Sequence, residues 1–268
     1  MVTERVLEAG FDGGDYGFPT VILSSLFFYI NNYWVLKTFA PASATGHPKK
    51  AWKWRNTANS LIHSFITGTG TFLCFWWTPK MREDLVYPIS LPSYLLVSFS
   101  LGYFIYDLID MAVNGSKPKT YDMLLHHFMV ILCFAISIIT ERHMGFTLMA
   151  LSLEVNSVFL HLRQLMILQG WSKSSNIYRI NNSFNLGTFV VFRVLTLGWM
   201  TRWLIHNRMD LHNYVYYVAG TSLAVIMVMN TVLLQKLLNS DYWQCPKPST
   251  EDHLKAKFGS IQFESNST

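Results

Sequence analysis

Two adjacent histidines, His126 and His127, stand in KTYDMLLHHFMVILCF, a stretch that otherwise has the composition of a membrane span. Ionisable groups inside a bilayer are costly and usually face a bundle interior or a water-filled cavity. Histidine titrates near neutrality, so a buried pair points first to general acid–base chemistry, particularly where a carboxylate fixes its tautomer. Metal chemistry fits less well. Consecutive helical positions point about 100° apart and cannot easily chelate one ion together. Asp122 and His126 do have the i, i+4 spacing of a chelating pair. The repeated H-x-x-x-H and H-x-x-H-H clusters of membrane di-iron enzymes, and the H-E-x-x-H of metalloproteases, do not occur in the sequence. No metal or cofactor is expected. One histidine should face a cavity while the other supports it or touches a neighbouring helix.

The pair has company at similar depth. His63 lies in the second apolar run. Asp107 and Asp110 share a face of the third in GYFIYDLIDMAVNG, with Tyr103 and Asn114 close to that face. Glu154 and Asn156 sit near the middle of the fifth, followed by His161 and Arg163, and Arg193 lies halfway along the sixth. Such convergence is expected of a helical ring whose polar interior opens toward one leaflet. Plainer roles compete with this at each position. Asp107, Asp110 and Arg193 suit structural ion pairs, Arg163 suits snorkelling to the surface, His63 suits a hydrogen-bonded packing role, and Glu154 suits a pairing with Arg193.

The elements that must position these groups are membrane helices. Of 268 residues, 51% are hydrophobic and only 14% charged, against roughly 25% charged in an ordinary soluble domain. A span needs about 20 predominantly apolar residues. Seven runs qualify: 18–38, 57–77, 91–113, 122–140, 144–168, 182–206 and 213–238. The polar turn at Glu141, Arg142 and His143 makes the fourth and fifth a tight antiparallel pair. The expected fold is an all-α polytopic membrane protein with an N-terminal tail (1–17), a first span (18–38), a six-span module (49–240) and a C-terminal tail (241–268). Lysines and arginines concentrate in alternate loops (Lys37, Lys49, Lys50, Lys53 and Arg55; Lys117 and Lys119; Lys173 and Arg179). That bias places the N-terminus outside and the C-terminus in the cytosol. The N-terminal stretch lacks the pattern of a cleaved signal peptide. In this topology the sequons at Asn114, Asn181 and Asn266 face the cytosol or its border and should carry no glycan. Cys74, Cys133 and Cys245 form no paired framework. Although the formal charge is +5, the basic residues are dispersed among loops, which argues against a nucleic-acid partner.

The segments AWKWRNTANSLIHSFITGTGTFLCFW, LLVSFSLGYFIYDLIDM, YDMLLHHFMVIL and GFTLMALSLEVNSVFLHLRQLM resemble the TLC domain over about residues 49–240. The resemblance implies a barrel built from the last six spans, with His126 and His127 matching the histidine pair used by ceramide synthases for acyl transfer. A second signature on the next helix, His-Asp and then Asp three residues later, is filled here by Ser152, Leu153 and Asn156. That departure weighs against ceramide synthesis. The compact length and the motifs WRN…SLIHS, GYFIYDLIDM and LEVNSVFLHLR are more similar to small TLC-domain proteins of the plasma membrane. Those limit the incorporation of long-chain polyunsaturated fatty acids into phospholipids, chiefly phosphatidylethanolamine, and so favour rigidity.

The resemblance therefore implies a regulator of phospholipid acyl composition at the plasma membrane, or alternatively the endoplasmic reticulum, with membrane phospholipids or acyl chains as its partners. The alternatives are an acyltransferase using the histidine pair with acyl-CoA as co-substrate, and a lipid transporter or trafficking receptor.

Overall fold

The computed structural model describes residues 13–115 and 121–243. Lys117, Lys119, Cys245, Asn266 and most of both tails lie outside them. Every regular element among the described residues is a helix, and these residues divide into two compact units at Met229 and Asn230. The second unit holds, among the described residues, only the end of the last helix.

Seven long helices occupy the seven apolar runs. Helix α1 covers 13–39 and contains a π turn at Asn31–Val35. Helices α2 (Pro48–Trp77), α3 (Leu91–Asn114) and α4 (Tyr121–Thr140) follow. Then come α5 (Met144–Leu168), α6 (Asn176–His206) and α7 (Asn213–Trp243). The last five are long and apolar enough to cross a membrane. Helix α2 starts nine residues before the run expected at 57 because Pro48 opens it and His47 Nδ1 accepts from Lys49 N at 3.3 Å. Its early turns are polar, which is why hydropathy hides them. A Ser90–Ser93 capping box starts α3, and Ser175 Oγ accepts from Tyr178 N at 3.3 Å to start α6. The α4–α5 turn is tight, as expected, and holds Glu141 and His143 at φ 51° and 64°.

Within the unit ending at Met229, side-chain and close-packing contacts close a ring of six helices. Helix α3 packs between α2 and α4, and α2 also packs along α5, which packs on α6. Thr201 Oγ1 reaches Met227 Sδ across α6 and α7 at 3.6 Å, and Cys133 Sγ donates to Ser222 Oγ across α4 and α7 at 3.2 Å. Helix α1 stands outside the ring against α3. Ser24 Oγ donates to Phe99 O at 2.6 Å and Ser25 Oγ to Gly102 O at 2.7 Å. Gly102 is required there, since a Cβ would strike Val21 O and Ser24. With no hydrophobic driving force between helices in lipid, close approach and interhelical hydrogen bonds hold such contacts.

Candidate functional site

The site is built on α3. Asp107 and Asp110 project one turn apart into the junction of α1, α2 and α4, and they are 1% and 4% exposed. Asp107 Oδ2 lies 3.0 Å from His127 Nε2. His127 Nδ1 is 2.7 Å from Met123 O, four residues back in α4. A ring held at one nitrogen by a backbone carbonyl and at the other by a carboxylate is fixed in orientation, with Nδ1 donating to the carbonyl. The sequence offered Asp122 as the nearby carboxylate, but Asp122 is exposed and the partner comes from another helix.

Asn56 on α2 completes this pair. Its Nδ2 donates to Asp107 Oδ1 and, at 3.3 Å, to Asp110 Oδ2, so one amide bridges both carboxylates. Asp110 also accepts from Trp52 Nε1 at 2.8 Å, Tyr33 Oη at 2.9 Å, Asn114 Nδ2 at 3.0 Å and Asn32 Nδ2 at 3.5 Å. Two of these donors belong to the π turn of α1. All of these partners are neutral donors, and Asp110 is an architectural node that ties α1, α2 and α3 together. Asn32, Tyr33, Trp52 and Asn56 were missed in the sequence because uncharged residues give no ionisable signal. Their only cue was an unusual density of Asn, Trp and Tyr at the cytosolic end expected for α1 and α2.

On the far side of the ring interior, Glu154 Oε2 accepts from Ser64 Oγ at 2.6 Å and Arg193 Nη2 donates to Ser157 Oγ at 2.8 Å. The charge on Glu154 acts on His63, His126, His127, His161 and Arg193. Glu154 is thus close enough to act electrostatically on five bases carried by four helices. Of these, His126, His161 and Arg193, like Glu154 itself, are half-buried, whereas His63 and His127 are buried. The rings of His126 and His127 are 5.5 Å apart and nearly perpendicular, with His127 buried against Asp107 and His126 turned toward the Arg193 and Glu154 side.

Other expected residues hold helices together. His63 Nε2 is 2.8 Å from Ser100 Oγ, and its ring stacks on Tyr103 at 3.8 Å. Tyr103 Oη donates to Ser60 Oγ at 2.8 Å. Asn156 is fully buried and spends its amide on Asn185 and Thr188 of α6. These side chains are buried against neighbouring helices, with His63 Nδ1 and Asn156 Oδ1 left without a hydrogen-bond partner among the described residues. Asn181 is also buried, donating to Phe159 O at 3.1 Å. Among the described residues no three His, Cys, Asp or Glu side chains gather as metal ligands.

Chemically, the arrangement offers an oriented histidine–carboxylate pair and, near it, a half-buried carboxylate, guanidinium and two further imidazoles. That is equipment for proton transfer and for holding a polar lipid group.

A TLC-domain family model matches residues 53–239. TLC domain-containing protein 2 of Danio rerio is 45% identical over 229 residues, covering 85% of this chain and 90% of the relative. The Homo sapiens protein of that name is 31% identical over 227 residues, with 84% of each chain covered. TLC domain-containing protein 1 of Homo sapiens is 30% identical over 220 residues, covering 81% of this chain and 86% of the relative. With a match that takes in nearly the whole six-helix ring, and relatives aligned over most of their own length, the chain belongs to the TLC-domain family.

Proposed function

We propose that this multi-pass protein regulates the acyl composition of membrane phospholipids, limiting entry of long-chain polyunsaturated chains into species such as phosphatidylethanolamine and so keeping the bilayer rigid. In this reading it resides in the plasma membrane with the N-terminus outside and the C-terminus cytosolic. A phospholipid or acyl chain enters the ring with its polar end among His126, Glu154, His161 and Arg193. The observation that carries the reading is the gathering of these half-buried groups within electrostatic reach of one another beside the Asp107–His127 pair, in a chain of the TLC family.

The half-buried His126 beside the Asp107–His127 pair also favours a second reading, acyl transfer from acyl-CoA to a lysophospholipid or another amine or hydroxyl lipid. His127 has one ring nitrogen on Met123 O and the other on Asp107, so in this reading His126 takes the acceptor's proton as the acceptor's oxygen or nitrogen attacks the thioester carbonyl. The C–S bond then breaks and CoA leaves as the thiol.

Lipidomics of cells lacking the protein, complemented with wild type or with His126→Ala/His127→Ala, tests the first reading. Wild type should lower polyunsaturated phosphatidylethanolamine and the double variant should not. Equal correction by both would refute a role for the site. Purified protein with labelled acyl-CoA and candidate acceptors tests the second, and histidine-dependent transfer would establish an enzyme.

A further inference from the structure

The connection from α1 to α2 concentrates positive charge that the site above does not use. Lys37, Lys49, Lys50, Lys53 and Arg55 follow one another there, and the sequence from 16 to 82 contains no aspartate or glutamate. Helix α2 begins at Pro48, ahead of its apolar run, so about 13 Å of helix stands clear of the hydrocarbon.

Those early turns are a rigid base. Trp52 donates to Asp110 and Asn56 to Asp107. Trp54 is buried with Leu36, Ala44, Ala58 and Leu168 in a small core that joins α1, the connection, α2 and the end of α5. The connection is itself folded, since Ala44 N donates to Pro41 O at 2.9 Å and Lys50 Nζ to Ser43 O at 2.7 Å. Lys50 and Lys53 lie about 100° and 40° round the helix from Lys49, and about 6 Å of axial rise covers all three. Their ammonium groups therefore share one face. Lys49 and Lys53 are exposed, and among the described residues neither ammonium group has an ion-pair or hydrogen-bond partner.

We propose that this face of α2 binds the polyphosphorylated headgroup of an inositol phospholipid in the adjoining leaflet, with Lys49, Lys50 and Lys53 on its phosphates. Charge and preorganisation select the ligand. One multiply charged headgroup neutralises three neighbouring ammonium groups at once, whereas a serine headgroup carries a single net negative charge. Lysine is a compact point charge with three donors and suits phosphate oxygens at varied angles. Basic clusters beside a membrane helix attract anionic lipid in this way. Because the helix is already held by Asp110 and the Trp54 core, binding orders side chains and leaves the backbone as it is. Lysines that served only to orient the chain would need no shared face. Which leaflet supplies the lipid follows from the orientation proposed above. A nanodisc presents both faces of the protein, so a failure to bind there leaves that orientation and the proposed function standing.

The test uses the full chain in phosphatidylcholine nanodiscs titrated with short-chain phosphatidylinositol bisphosphate, with adducts counted by native mass spectrometry. Phosphatidylserine of the same chain length should bind at least about tenfold more weakly. Free inositol trisphosphate should also bind at least about tenfold more weakly, since it brings no chain into the bilayer. Each lysine is worth roughly fivefold at an anionic surface. Lys49→Gln/Lys50→Gln/Lys53→Gln should therefore weaken the bisphosphate about 30- to 100-fold. Lys80→Gln/Arg82→Gln, exposed beyond the other end of α2, should leave it unchanged. Equal binding of the two lipids, a triple variant that matches wild type, or a free headgroup that matches the lipid would overturn the proposal and leave the lysines as topology signals. The comparison of serine and bisphosphate lipids needs no variant, so it stands even if the triple variant misfolds.

Discussion

Replacing Asp107 by Asn tests whether the pair with His127 is a fixed piece of machinery. The substitution keeps shape and removes one charge. In wild type, Oδ2 faces His127 Nε2 at 3.0 Å while Oδ1 accepts from Asn56. An asparagine has one carbonyl oxygen, so it can accept from only one of these two donors and must point its own NH₂ at the other. A charge-assisted hydrogen bond is worth about 1.5–3 kcal/mol, and removing one partner of a buried pair costs about 3–5 kcal/mol when the other charge is stranded. His127 can shed its proton, so we expect a loss of about 2–4 kcal/mol. At roughly 2–4 °C per kcal/mol for a chain of this size class, the midpoint of thermal unfolding in detergent should fall by about 4–16 °C. The double-mutant cycle with His127→Gln should show coupling above about 1 kcal/mol, and Asp122→Asn, at an exposed position, should be neutral. An Asp107→Asn midpoint within about 2 °C of wild type, with no coupling to His127, would refute the pair as a structural unit and with it the fixed histidine.

Gly102→Ala should strip α1 from α3, because the new Cβ meets Val21 O and Ser24. Overpacking of this kind costs about 1–3 kcal/mol, and faster proteolysis between α1 and α2 would report it. Trp52→Phe removes one donor from Asp110 at 2.8 Å. It should lower stability by about 1–3 kcal/mol, more than Trp34→Phe, whose ring is exposed. The folded protein holds the His143 imidazole down to about 4, against about 6.5 in an unfolded chain. The unfolded state therefore binds more protons across that window. His143's contribution to stability is fully present above about pH 6.5 and is lost as pH falls toward 4. Melting in detergent at pH 7.5 and 5 should show a larger drop for wild type than for His143→Gln; equal drops would contradict the burial of this ring.

The apolar runs of about 20 residues made the all-helical membrane class legible, since length and hydropathy alone require helices. The charged residues and histidines well inside those runs are buried or half-buried in the structure, because lipid tolerates them poorly. What stayed hidden was pairing. Asp107 and His127 lie 20 positions apart on different helices, and the nearer Asp122 was the more visible carboxylate. The donors Asn32, Trp52 and Asn56 carry no charge and looked like ordinary polar residues at span ends. Asn156 and Tyr103 shared the depth of the site but face neighbouring helices, a distinction of rotation that sequence position does not encode.

Helix α1 holds its polar residues in reserve. Ser24 and Ser25 find their acceptors 75 and 77 residues later in α3, and Asn32 waits equally long for Tyr106 and Asp110. Synthesis at about 5–20 residues per second leaves an interval of roughly 4–15 s in which α1 has emerged and α3 has not. During that time Asn32, Ser24 and Ser25 lack their α3 partners, while Asn31 already meets Asn59 of α2. Either the first helix lingers at the insertion machinery, shielded from lipid, or it enters the membrane with its hydroxyls and amides turned back on its own backbone. In both cases birth order, rather than packing alone, makes the arrival of α3 the commitment step in assembly.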